Sequence, residues 1–297
     1  MKMPSPMRRW EDQLPPGQKR RMRKGMYILP SLFTAANIGA GYFAIYNTLL
    51  GSQVQSAYFD TAAKAIGIAV IADGLDGFVA RLTRTASDFG REFDSLADVI
   101  TFGVAPALLA FMWGFRWFVL ADFESRPLVD WIEHLGLIAT FLFLVAGASR
   151  LARFNIQANP QPSNPGRPGK KYFVGMPIPA GAGVIAATVH LTSGQPINFW
   201  WLALVWMALL IAVAFLMVST WRFYSFKELN LRHRHPFQLI ILIAGIFYLV
   251  WFFSGPVLFV IAITYMLSGV LSRLSFVFRR RPSQPAPPPL EEASQTR

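Results

Sequence analysis

Residues 73–98 read Asp73-Gly-Leu-Asp76-Gly77-Phe-Val-Ala80-Arg81, eight intervening residues, then Gly90-Arg-Glu-Phe-Asp94-Ser-Leu-Ala-Asp98, and strongly apolar runs adjoin both halves. Asp73 and Asp76 are three apart, and Asp94 and Asp98 are four apart, so on helices each pair shares one face, one turn apart. At about 100° of rotation per residue, Asp73, Asp76, Gly77, Ala80 and Arg81 fall within about 140° of arc. A carboxylate at membrane depth costs about 3 kcal/mol. A lone Asp there is commonly salt-bridged or reaches the interface. Four at paired helical spacing, with Gly and Ala between them, ask for a divalent metal site, because hard cations take oxygen ligands and offset the gathered charge. The small residues allow close approach to the backbone, and the planar fork of Arg81 suits phosphate.

This stretch resembles the signature of the CDP-alcohol phosphatidyltransferase family, Asp-x-x-Asp-Gly-x-x-Ala-Arg, eight residues, Gly-x-x-x-Asp-x-x-x-Asp. Asp73, Asp76, Gly77, Ala80, Arg81, Gly90, Asp94 and Asp98 fill every fixed position.

Working outward, the 297 residues are 54% hydrophobic and 15% charged, with 26 Phe, 9 Trp and a mean hydropathy of +0.39. That balance fits a polytopic membrane protein. The absence of cysteine excludes a disulfide framework and thiolate chemistry. Apolar periodicity and length predict an all-α bundle of about eight transmembrane helices: 27–50, 58–83, 90–115 (with Pro106 as a kink), 131–154, 175–191, 199–220, 236–254 and 256–278. A Ser254-Gly255-Pro256 turn is expected between the last two. The chain then divides into a basic segment (1–26), a membrane-embedded domain (27–278) and a polar, Pro-rich, disordered tail (279–297).

The net charge of +12 is distributed as topology rather than as a nucleic-acid patch. Lys19, Arg20, Arg21, Arg23 and Lys24 precede the first span. Arg84 and Arg91, then Arg167, Lys170 and Lys171, then Arg222, Lys227, Arg232 and Arg234 mark alternate loops, whereas the 1–2, 5–6 and 7–8 connections carry no Lys or Arg. The positive-inside rule then puts both termini and the Asp cluster on the cytoplasmic side of the cytoplasmic membrane. The basic loops also favour anionic lipid headgroups.

By the family resemblance, Asp73, Asp76, Asp94 and Asp98 are implied to hold two divalent ions, Mg2+ or Mn2+. Asp98 is also implied as the base that takes the proton of the attacking hydroxyl. Gly77, Ala80, Arg81, Ser87 and Asn37 are implied on the nucleotide and phosphate side, and a homodimer is expected. Members of the family displace CMP from a CDP-linked lipid and pass the phosphatidyl group to an alcohol. Residues 88–107, Arg150-Leu-Ala-Arg153-Phe-Asn155, Gly175-Met-Pro-Ile-Pro-Ala180 and the Val218-to-Lys227 stretch resemble the serine-using branch, which implies CDP-diacylglycerol and L-serine as substrates. A serine carboxylate needs a cationic partner, and Arg150 or Arg153 supplies a candidate; both also suit headgroup anchoring. Glycerol 3-phosphate or inositol phosphate as acceptor, an intramembrane prenyltransferase and a cation transporter are the competing readings. His190, His233 and His235 have no defensible ligand spacing and read as structural or interfacial. Phe199-Trp200-Trp201 and Trp251-Phe252-Phe253 read as interfacial belts.

Overall fold

The structure is a computed structural model. It describes the backbone over 16–53, 55–83, 88–116, 126–156, 172–224, 244–245 and 248–278. Side chains are described within those ranges except for 16–31, 52–53, 75–83, 88–89, 126–127, 172, 224 and 277–278. Helix α1 (Pro16–Gln53) leads into α2 (Ala57–Thr83), and α3 runs over 88–116. Helix α4 (Arg126–Asn155), strand β1 (Tyr172–Val174), α5 (Ile178–Leu191), α6 (Trp200–Val218), β2 (Arg222–Tyr224) and α7 (Ser254–Phe278) follow.

Helix α1 packs along α2 and lies across α3; α2 and α7 both pack on α5, and α4 packs on α6. Fully buried Phe102, Phe115, Phe143, Ile178, Ile185, Leu210 and Met217 fill the interior. Large apolar side chains such as Ile68, Ile71, Phe141, Val205, Phe215 and Val260 face outward. Lipid accepts such a surface at no cost, so helices in a bilayer pack through close contact of small residues. Gly41 illustrates this: a Cβ there would lie 2.6 Å from Thr101 Oγ1 and 2.9 Å from Thr101 Cα, which brings α1 and α3 into backbone contact beside the Asp cluster.

Four described helices are long and apolar enough to cross a membrane: Gly90–Arg116, Leu128–Asn155, Trp200–Val218 and Ser254–Phe276. The protein is therefore a helical membrane protein. The first helix begins at Pro16 rather than Tyr27, because Gln, Lys, Arg and Met are good helix formers and extend it through the basic segment. Of the expected seventh span, 236–254, only 244–245 and 248–254 lie within the described residues. The expected turn at Ser254-Gly255-Pro256 is instead the start of α7, and the break is a bend at Phe253. Phe253 N–H donates to Leu249 C=O (2.8 Å) and Val257 N–H to Phe253 C=O (3.1 Å), so helical bonding continues on both sides. Pro256 lies in the first turn of α7, where a missing N–H costs nothing.

Two further departures bear on the site. Helix α3 does not simply kink at Pro106; it carries π-helical turns at Val99–Val104 and Met112–Arg116. Ala105 N–H donates to Ile100 C=O, five residues back. The wider turn immediately precedes the proline, which has no N–H for the regular ladder. The all-α expectation is also broken by an antiparallel β1–β2 pair, Phe173 opposite Phe223. Gly175 (φ +75°) makes this possible, because the backbone turns there and Gly175 N–H donates to Trp221 C=O (2.9 Å). A Cβ at Gly175 would meet Met217 C=O at 2.6 Å.

At the far end of the bundle, Asp60 links three helices. Its Oδ2 pairs with Lys64 Nζ (2.7 Å), its Oδ1 accepts from His190 Nδ1 (2.5 Å), and His190 Nε2 bonds Ser254 Oγ (2.8 Å). His190 is thus structural, tying α2, α5 and α7 together; His233 and His235 lie outside the described residues.

Candidate active site

Asp73 is thirteen residues along α2 from Asp60, about 20 Å at 1.5 Å per residue, and so belongs to the opposite end of the bundle. There α2 meets the first turns of α3. Carboxylate oxygens of Asp73, Asp94 and Asp98 lie within 4.8 Å of one another, with Asp98 buried and the other two partly so. Two unit charges at that separation repel by about 3.5 kcal/mol at an effective dielectric of about 20. Three charged groups so placed favour a multivalent cation strongly, and an all-oxygen donor set suits Mg2+ or Mn2+. The backbone puts Asp76, Gly77, Ala80 and Arg81 on the next turns of α2. Their side chains, and Ser87 altogether, lie outside the described residues.

Helix α1 supplies the support. Asn37, only 6% exposed, donates from Nδ2 to Asp98 Oδ1 at 3.3 Å. Thr101, one turn beyond Asp98, donates from Oγ1 to the Asn37 carbonyl at 2.8 Å. The carboxylate and its partner are therefore fixed by reciprocal bonds between α1 and α3, at the place where Gly41 lets the two backbones touch. Asn37, a candidate for the nucleotide and phosphate side, has its amide nitrogen on the Asp98 carboxylate.

The two arginines of α4 have different surroundings. Arg153 Nη1 donates to Val218 C=O (3.1 Å), satisfying a carbonyl at the C-terminal end of α6. Arg150 is turned inward, with its Nε buried and not hydrogen-bonded within the described residues. Its charged and polar neighbours are Tyr265, Asp98 and Arg153. Of the two, only Arg150 shares the interior with Asp98. At the end of α4, Asn155 Nδ2 donates to Ser95 Oγ (2.9 Å), linking α4 to the helix that carries Asp94 and Asp98.

Sequence reasoning missed Thr101, Ser95 and Tyr265. Thr101 and Ser95 are three and one residues from the aspartates but carry no charge to draw attention. Tyr265 is one of several hydroxyl residues in its span, with no spacing signal to relate it to residues more than a hundred positions earlier.

A membrane helix pair thus gathers three signature carboxylates at one end, an arrangement that could hold a metal ion. The chain belongs to the CDP-alcohol phosphatidyltransferase family, whose sequence profile matches residues 27–203. It is 36% identical over 206 residues to the CDP-diacylglycerol–serine O-phosphatidyltransferase of Helicobacter pylori, covering 69% of this chain and 75% of that protein. It is 41% identical over 133 residues to the enzyme of the same name from Methanocaldococcus jannaschii, covering 45% of this chain and 52% of that one. The Bacillus subtilis enzyme of that name is 31% identical over 154 residues, 52% of this chain and 71% of its own length.

Proposed function

We propose that this protein transfers the phosphatidyl group of CDP-diacylglycerol to L-serine, giving phosphatidylserine and CMP. The observation that carries the assignment is the convergence of Asp73, Asp94 and Asp98 with Asn37 on Asp98 and Arg150 nearby. The relatives named for serine favour that acceptor over glycerol 3-phosphate or inositol phosphate. Family membership sets aside the prenyltransferase and transporter readings.

Asp73, Asp76, Asp94 and Asp98 would hold two divalent ions, Mg2+ or Mn2+, which when bound would neutralise the diphosphate and favour departure of CMP. Asp98, clamped at Oδ1 by Asn37, offers its remaining oxygen to the serine hydroxyl. The proton passes to that carboxylate as the serine Oγ–P bond forms, and the P–O bond to CMP breaks with its electron pair leaving on CMP. Arg81, Gly77, Ala80 and Ser87 serve the nucleotide and phosphate end. Arg150 takes the serine carboxylate in a bidentate grip. Holding carboxylate and hydroxyl at once converts encounter into an oriented attack.

The finer topology follows the charge alternation: eight spans, both termini and the site mouth cytoplasmic, basic loops against anionic lipid, and a homodimer as the family implies. The decisive experiment supplies purified protein with CDP-diacylglycerol, Mg2+ or Mn2+, and L-serine, glycerol 3-phosphate or inositol phosphate in turn. CMP release that depends on L-serine is expected. Release that depends on either phosphate and not on serine overturns the assignment.

A further inference from the structure

The far end of the bundle, marked by Asp60, also holds a groove of about 380 Å³ walled by parts of α3, α5, α6 and α7. Helix α7 packs on α5 while α6 packs mainly on α4, so a cleft is left between α6 and α7. Gly194 fixes the place of this groove along the bundle: its φ is +77°, and a Cβ there would lie 2.7 Å from the backbone N of Asp60. Gln195, the next residue, is in the wall, and the groove continues along α6 to Leu209. At 1.5 Å per residue Leu209 is about 14 Å from Trp200, close to half of a hydrocarbon core of roughly 30 Å. The groove therefore has the depth of one leaflet, on the side opposite the Asp73–Asp94–Asp98 cluster.

Its wall is apolar although it includes two threonines and two tryptophans. Thr188 Oγ1 donates to Val184 C=O (2.8 Å) and Thr192 Oγ1 to Val189 C=O (2.9 Å). Trp113 Nε1 donates to Gln195 C=O (2.8 Å) and Trp206 Nε1 to Ala110 C=O (3.1 Å). These hydroxyl and indole donors are all turned back on the protein, and the groove is left with methyl groups and rings. The two indoles meet edge to face, centroids 5.0 Å apart, and Trp206 seats on Gly114, where a Cβ would be 2.3 Å from its ring. Such a wall is preformed and binds through close contact, which suits hydrocarbon better than any polar ligand. Only the loop end is polar. Gln195 and Asn198 are exposed there, their side-chain amides have no partner among the described residues, and no Lys or Arg occurs from 192 to 199. We propose that this groove is a binding site for one acyl chain of a phospholipid in the leaflet opposite the active site, with the lipid's ester region at the Gln195 and Asn198 amides. An apolar wall one leaflet deep with an uncharged polar mouth matches that amphiphile. The donor lipid, held by its diphosphate at the Asp cluster, enters from the other leaflet. The site is thus separate from the reaction and independent of which alcohol is the acceptor.

The test places full-length protein in phosphatidylcholine nanodiscs that contain a small fraction of phosphatidylcholine with a photoactivatable acyl chain. Crosslinks mapped by peptide mass spectrometry should favour Leu209 and Phe259, in the groove, over outward-facing Ile211 and Val260 by about fivefold or more, the ratio a preference of about 1 kcal/mol gives. Val205, exposed at the rim, allows the groove to be filled from outside: Val205→Trp should abolish the excess, whereas Val260→Trp, outside the groove, should keep it. Leu209→Phe, a smaller change, should lower the excess in the same way if Val205→Trp does not fold. In detergent, phosphatidylcholine added to delipidated protein should raise Tm by about 2–4 °C in wild type and Val260→Trp but not in Val205→Trp, since a ligand of the folded state stabilises by mass action. Equal labelling of groove and outward-facing residues, meaning an adventitious lipid only, overturns the proposal. Labelling by photoactivatable CDP-diacylglycerol alone would make the groove part of the donor site and also overturns it. Oxidative crosslinking of Val205→Cys between two copies does the same, because the groove would then be covered by protein.

Discussion

The Asn37–Asp98 contact offers the sharpest quantitative test of the site. Asn37→Asp exchanges a donor for a carboxylate oxygen of nearly the same shape, 3.3 Å from Asp98 Oδ1. At an effective dielectric of about 20, two charges at that distance repel by about 5 kcal/mol. Expressed wholly in the barrier, this is a loss of between about 10^3- and 10^4-fold in kcat. Asn37→Leu removes the bond without adding charge. A hydrogen bond to a carboxylate contributes about 1.5–3 kcal/mol, and the long donor–acceptor distance argues for the lower end, hence a loss of about tenfold. The two variants separate in their metal response. An added carboxylate tightens metal binding while turnover falls, whereas leucine leaves Asp98 free to rotate and weakens both. CMP release measured against Mn2+ concentration, with metal binding followed by calorimetry, distinguishes them. Turnover within about twofold of wild type for Asn37→Asp would refute the placement of Asp98 at the reacting centre.

Other perturbations test the remaining assignments. Arg150→Lys keeps the charge but loses the planar fork, so the KM for serine should rise before that for CDP-diacylglycerol; initial rates with each substrate varied in turn check this. Arg153→Lys should instead lower thermal stability with little change in the KM for serine, because Arg153 bonds the Val218 carbonyl; a detergent melting curve and serine kinetics decide it. His190→Ala should destabilise the fold by about 2 kcal/mol, since it removes two partly buried polar bonds, and lower Tm by several degrees without altering substrate KM values. With no native cysteine, single cysteines at Ser52, Ser163 and Ser193 report topology. Impermeant maleimide should reach Ser163→Cys from the cytoplasmic side alone and the other two from the opposite side alone; the reverse labelling refutes the charge-derived orientation.

The aspartates were legible in the sequence because charge in an apolar run has few explanations and helical periodicity makes spacing into geometry. Helix positions followed from the same periodicity, and their ends were less legible: the basic residues before Tyr27 favour helix, so composition shifts where the backbone does not break. The roles of Asn37, Arg150 and Arg153 were not separable from sequence. All three are polar residues within long helices, and only packing reveals that Asn37 meets Asp98 while Arg153 meets α6. Tyr265 was invisible for a related reason, since its ring packs on Phe223, in a short strand 42 residues earlier. The β1–β2 pair was also missed, because three-residue strands leave too short a pattern to read, and only Gly175 hints at a turn.

The π-helical turn at Val99–Val104 divides α3 into two stretches spliced out of phase. Upstream of the first splice, Asp98 turns toward α1; downstream, Trp113 donates to Gln195 C=O and Phe115 lies against Gly136 of α4. Each residue of an α-helix advances the azimuth by about 100°, so the extra residue accommodated within 99–104 offsets one rod from the other by that angle. Deleting it would restore a uniform helix and satisfy the backbone equally well. With the downstream rod anchored in the core, Asp94 and Asp98 would swing away from Asp73 by about a quarter-turn. The splice therefore acts as an angular spacer. It lets one end of a single span follow the demands of packing while the other follows the demands of the carboxylate cluster.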